Sequence, residues 1–168
     1  MAGSDWDKIR DGMTISQRVA TDADEPFLRK LIVDTVTEEL QASLWPEPMR
    51  SHLLEIQYSA RRQSIRTRYP NAEDRIVMVD EIPAGWFAKA DLDDEIRWLD
   101  LMIAADHRGK GVGTAVLKEA MAESSRARKP ARFSVSVMNG RAIQLYEHLG
   151  FRRIGGDEVQ HIMEYVPV

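Results

Sequence analysis

The sequence predicts an α/β layered fold, with a mixed, largely antiparallel central sheet of about seven strands flanked by four helices. Three observations carry that expectation. Apolar residues switch repeatedly between a period near 3.6 and a period of 2. The segments follow one another as β α α β β β α β α β β. With 168 residues, 43% of them hydrophobic and 30% charged, the chain has the make-up of an ordinary globular domain with one core.

Residues 1–12, MAGSDWDKIRDG, are polar and read as a flexible tail ahead of a single domain over 13–168. MTISQRVA, Met13 to Ala20, predicts a first strand. A helix starts within TDADEPF, where Thr21 or Asp22 can cap and Pro26 suits a first turn. Leu28, Leu31, Ile32 and Val36 then recur at helical spacing up to about Leu40. LWPEP, Leu44 to Pro48, must be a loop, because its prolines remove donors and restrict the residues before them. A second helix with Met49, Leu53, Ile56 and Ala60 on one side runs to about Tyr69, where Pro70 and Asn71 stop it.

The period then changes. RIVMVD (Arg75 to Asp80), AGWFAKA (Ala84 to Ala90) and IRWLDLMIAA predict three strands in a meander. The long helix VGTAVLKEAMAESSRARK carries Gly113, Val116, Leu117, Ala120 and Met121 as its buried stripe and ends before Pro130. In RFSVSV, Phe133, Val135 and Val137 alternate with serines at strand period. NGRAIQLYEHLGF has Asn139 as cap, Ala142, Leu145, Tyr146 and Leu149 at helical spacing, and Gly150 as the terminating left-handed residue, with Phe151 folding back on the last turn. Arg152 to Gly156 and Gln160 to Val166 close the chain as two strands.

Composition removes several function classes. A balance of 23 basic against 27 acidic residues provides no broad positive field for nucleic acid or an anionic membrane. Arg61, Arg62, Arg66 and Arg68 form a local basic cluster that reads as solvated helix arginines. Without cysteine there is no disulfide, thiolate metal site or thiol nucleophile. His52, His107, His148 and His161 lack ligand spacing, so no metal is expected. Ser134 and Ser136 have no visible histidine and acid partners, which leaves a serine acyl-enzyme without support. The polar start and the absence of a long apolar run predict a cytoplasmic protein.

The most informative stretch is DHRGKGVGTAVL, Asp106 to Leu117, where three glycines crowd between an apolar strand and an amphipathic helix. A helix start presents main-chain N–H groups and a positive dipole end, and glycine lets an anion approach them closely. Arg108 and Lys110 add flanking charge suited to a phosphate or pyrophosphate. A plain strand-to-helix turn would also use glycine. The P-loop pattern fails because Lys110 lies between glycines, and the dinucleotide pattern fails because its third glycine would fall at Thr114.

Arg108-Gly109-Lys110-Gly111-Val112-Gly113 resembles the R/Q-x-x-G-x-G/A signature of the GCN5-related N-acetyltransferases (GNAT), and NGRAIQLYEHLGF is similar to that family's later segment, an asparagine before a short helix bearing a tyrosine and Leu-Gly-Phe. The likeness spans about Ile15 to Tyr165. It implies acetyl-CoA as acyl donor, with the amides from Gly109 to Thr114, Val112 and Gly113 included, on the pyrophosphate. The strand from Leu99 to Ile103, with Leu101, Met102 and Ile103, would present main chain to the pantetheine arm, and the strand Phe133 to Val137 would splay from it. Asn139, Ala142 and Tyr146 would contact the cofactor.

Acyl transfer to an amine needs a neutral amine, a donor for the thioester oxygen and a proton for the departing thiolate. Tyr146 occupies the place of the family's general acid; its spacing alone also fits a core tyrosine. Asp100, an acid in the apolar strand RWLDLMI, is the candidate base, although alternation could turn it to solvent and Arg97 could pair with it. Glu38, Glu39 and Glu47 read more readily as solvated carboxylates. Trp45 and Trp86 could wall an acceptor pocket or belong to the core. With cysteine absent and a serine acyl-enzyme unsupported, direct transfer in a ternary complex to a small-molecule, peptide or protein amine is the simplest mechanism, the charge balance predicts no nucleic acid or membrane partner, and homodimerisation is left open. A non-catalytic acyl-CoA-binding module is the alternative.

Overall fold

The computed structural model describes residues 8–10 and 12–168, so most of the expected tail lies outside the described residues. Lys8–Arg10, inside that tail, forms a three-residue strand, β1, too short to show a period. The chain divides into two compact units: one runs to Ala88 and adds Asp100–Gly113, the other comprises Lys89–Leu99 and Thr114–Val168.

In the first unit, β1 pairs antiparallel with β2 (Met13–Val19), and β2 with β3 (Glu73–Val79) in a register from Ile15↔Val79 to Val19↔Arg75. β4 (Ile82–Asp91) and β5 (Ile96–Ile103) follow in the order β1-β2-β3-β4-β5, both strands also running into the second unit. Asp80 and Glu81, at φ 49° and 66°, make the two-residue turn between β3 and β4.

Helix α1 (Glu25–Glu39) is held at its start by Asp24, which accepts from Thr21 N at 2.8 Å and takes both prongs of Arg18 at 2.7 Å. That anchorage holds its carboxyl well below the usual aspartate range, Arg18 being the largest cause. The apolar stripe predicted from spacing faces inward, Leu28, Leu31, Ile32 and Val36 each being buried.

Helix α2 (Met49–Arg68) occupies the predicted span but turns the other way. Met49, Leu53 and Ile56 are 48%, 37% and 48% exposed, while Leu54, Tyr58 and Arg62 face inward. The physical reason is a polar cluster. Arg62 is bonded to Asp74 at 3.1 Å and Glu25 at 3.4 Å and lies 5.5 Å from the Trp86 ring centroid; Tyr58 donates to Glu25, and Trp86 Nε1 to Asp74 at 2.8 Å. Arg61 and Arg62 are therefore not the solvated arginines expected, whereas Arg66 and Arg68 are exposed.

In the second unit the strand order is β4-β5-β6-β8-β7, with β6 (Ala131–Ser136), β7 (Arg152–Gly156) and β8 (Gln160–Tyr165). Among the described residues the parallel ladder of β5 and β6 holds two pairs, Ile96↔Ala131 and Arg97↔Arg132, whereas β6 pairs antiparallel with β8 as far as Ser136↔Gln160. Helix α3 (Val112–Ala127) buries Val116, Leu117 and Ala120 and ends where Arg128 turns left-handed (φ 56°) and Lys129 N bonds Ser124 O at 3.1 Å. Helix α4 (Gly140–His148) is followed by Gly150 at φ 102°, which returns Phe151 to bond Tyr146 O at 2.9 Å. Trp98 stacks on Phe133 at 5.5 Å, and Phe151 lies 5.2 Å from Trp98 and 5.1 Å from Phe133, forming this unit's aromatic core.

Candidate active site

The glycine loop starts where β5 leaves the sheet. Ala104 N bonds Ala84 O at 2.8 Å, Ala105–His107 make one tight turn, and Arg108 is extended. Gly109 and Gly111 then take φ of 73° and 83°, the left-handed region that glycine enters without strain. Among the described residues, its two chain neighbours aside, no heavy atom lies within 4 Å of a Cβ built on Gly109, so the turn offers bare, open backbone immediately before α3 begins at Val112. Val112 is itself buried and pins that start. Gly113 differs: it is helical, and among the described residues outside its own helix backbone an added Cβ would meet Ile103 Cγ1 at an ordinary 3.8 Å.

Arg108, expected to flank an anion, turns back instead. Its Nε donates to Ile103 O at 2.8 Å and its Nη1 to Glu38 at 2.5 Å, so its first use is to hold the loop against the strand it leaves and against α1. Lys110 is exposed. A groove of about 470 Å³ borders this segment, lined in part by Phe27, Lys30, Asp34, Ala105 and Asp106.

Leu101, Met102 and Ile103 form the end of β5. Gly85 on β4 governs their main chain, because a Cβ there would lie 2.5 Å from Met102 O. Sequence reasoning missed this glycine; its only signal was an isolated glycine inside a strand pattern.

Asp100 is not turned to solvent. Its side chain is 18% exposed, and Oδ2 lies 3.3 Å from Nε of Arg61, itself 31% exposed. Arg97, the expected partner, pairs with Glu95 at 2.6 Å instead. Burial pushes the Asp100 carboxyl above the ordinary aspartate range; Arg61 and the Leu101 N–H pull it down, and Glu39 adds to the rise. Of the weaker carboxylate candidates, Glu38 holds Arg108, and Glu47 accepts from Ser51 at 2.7 Å and pairs with Arg50 at 2.8 Å. Trp86 is fully buried and belongs to the core, while Trp45 is half-buried.

In the second unit, Asn139 caps α4 as expected, its Oδ1 accepting from Ala142 N at 3.3 Å, and it is itself exposed. The Tyr146 ring stands edge-on to Phe133 with centroids 4.4 Å apart and lies 5.9 Å from Phe151, so aromatic packing fixes the plane of its half-buried phenol. Among the described residues no group of three or more His, Cys, Asp or Glu is placed to hold a metal ion, and no helix is long and apolar enough to cross a membrane.

Residues 72–153 match the acetyltransferase (GNAT) domain family. No curated protein sequence matches the chain significantly. Among solved structures, PaiA N-acetyltransferase from Thermoplasma acidophilum in complex with coenzyme A is 18% identical, with a TM-score of 0.69 over 91% of this chain and 99% of that one. The ribosomal-protein alanine N-acetyltransferase from Escherichia coli is 17% identical, with a TM-score of 0.65 over 92% and 96%. YncA from Salmonella typhimurium, with its cofactor acetyl-CoA, is 18% identical, with a TM-score of 0.59 over 91% and 94%. At these identities the likeness is one of fold.

Proposed function

We propose that this chain, whose residues 72–153 match the acetyltransferase (GNAT) domain family, moves an acyl group, acetyl foremost, from acetyl-CoA to a primary amine by direct transfer in a ternary complex. The observation that carries this reading is the pair of left-handed glycines, Gly109 and Gly111, opening α3 directly after β5. Bare amides at a helix start fit a pyrophosphate, and the open space above Gly109 is where a side chain would obstruct one.

Acetyl-CoA supplies the activated thioester. The residues proposed to hold it are the main chain of Leu101, Met102 and Ile103, the loop from Arg108 to Thr114, and Asn139, Ala142 and Tyr146. Asp100 takes the proton that the amine must lose for its lone pair to form the C–N bond. The Tyr146 phenol gives a proton to the thiolate released as the C–S bond breaks.

Thiol release from acetyl-CoA over a panel of cationic amines, amino acids and peptide N-termini tests the proposal. Amine-dependent release is expected. Saturable acetyl-CoA binding with no release from any amine would contradict the catalytic reading and favour a binding module.

A further inference from the structure

A carboxyl group placed on an apolar strand is driven toward its protonated form, and in that form it takes no proton from an amine. Something has to oppose that drive if Asp100 is to work. The charged groups facing it in the first unit are Arg61 from α2 and Glu39 from α1, beside the N–H of its neighbour Leu101 on β5. Glu39 repels a second negative charge, which leaves Arg61 as the one cation among them.

The form of the contact matters as much as its sign. A two-pronged guanidinium fork would occupy both carboxylate oxygens and depress basicity strongly. Arg61 instead comes within 3.3 Å of Oδ2 through Nε and forms no hydrogen-bonded fork on the carboxylate. Its Nη1 is buried and has no hydrogen-bond partner among the described residues, so no other carboxylate neutralises that end of the guanidinium. The carboxylate therefore keeps lone pairs for an incoming N–H.

We propose that Arg61 is a positioning residue for the transfer: it keeps Asp100 ionised and oriented within its buried setting without gripping it as a fork would. This inference rests on the reading of Asp100 as the base. It gives α2 a task in catalysis, performed by a residue 39 positions away in sequence from the one it serves.

The test is a carboxyl ¹³C NMR titration of the full-length protein, with the Asp100 resonance identified by its loss in Asp100→Asn. Two neutral variants, Arg61→Gln and Arg61→Met, are compared with Arg61→Lys, and either neutral variant that folds suffices. Loss of the guanidinium should raise the Asp100 midpoint by about one to three pH units, and lysine should hold it near the parent's value. A neutral variant titrating within a few tenths of a unit of the parent would overturn the proposal, as would a lysine variant shifted as far as the neutral ones. Failure of the base assignment shows elsewhere: Asp100→Asn would keep the parental pH–rate profile with an amine acceptor, whatever the titration shows.

Discussion

Arg108 donates through Nε to the main-chain oxygen of Ile103 at 2.8 Å, so the arginine that starts the glycine loop clasps the last residue of the strand before it. With Nη1 on Glu38, the same side chain spans strand end and helix. Arg108→Ala should therefore loosen the loop and weaken acetyl-CoA binding about tenfold, the equivalent of about 1.4 kcal/mol. Arg108→Lys should recover little of it, since an ammonium cannot reproduce two directed N–H bonds. Calorimetric titration of both variants checks this.

The three glycines of the loop should not behave alike. Gly111 at φ 83° would force any side chain into a strained backbone, whereas Gly113 is helical and has room for a methyl group. Gly111→Ala should lower CoA affinity about tenfold or more, from a strain of roughly 1–2 kcal/mol. Gly113→Ala should leave affinity within about twofold and add a little helix stability. Equal effects from the two would mean that the left-handed turn does not shape the anion site.

Tyr146→Phe keeps the ring against Phe133 and Phe151, so the aromatic packing of the second unit survives. The variant should bind acetyl-CoA within about twofold of the parent while kcat falls by about 10²–10⁴. Steady-state kinetics with an accepted amine would show it, and a parallel loss of binding and turnover would mark a structural tyrosine.

Asp100→Asn should change stability in a pH-dependent way. Burial lifts the folded carboxyl above its unfolded value, with Arg61 offsetting part of the rise. The stability tied to that proton is fully present below the unfolded value, near about 4, and is lost as pH rises through the folded one. The asparagine variant, neutral throughout, should therefore melt with the parent at acid pH and above it at neutral pH. Thermal unfolding at pH 4 and pH 8 checks the sign; a variant less stable at pH 8 would contradict it.

Helix α1 was legible because its stripe is apolar and meets an apolar core. Helix α2 was not. Its local pattern points to Met49, Leu53 and Ile56, yet its inner face carries Tyr58 and Arg62, whose partners Glu25 and Asp74 come from α1 and β3. A guanidinium is buried only when distant chain supplies its counter-charges, and no local window displays that. The glycine loop announced itself, but only backbone angles separate Gly109 and Gly111, which require their residue type, from Gly113, which does not. For the same reason Asp100 could be singled out as a misplaced acid while Arg61 could not be named as its partner.

Calorimetric titration of the protein with acetyl-CoA and CoA, beside ATP and NAD, tests the central claim most directly. Saturable binding of acetyl-CoA and CoA, with neither nucleotide competing, is the predicted result. Preference for ATP or NAD would contradict the assignment of the loop at Gly109 and Gly111, and with it the acyl-transfer roles of Asp100 and Tyr146.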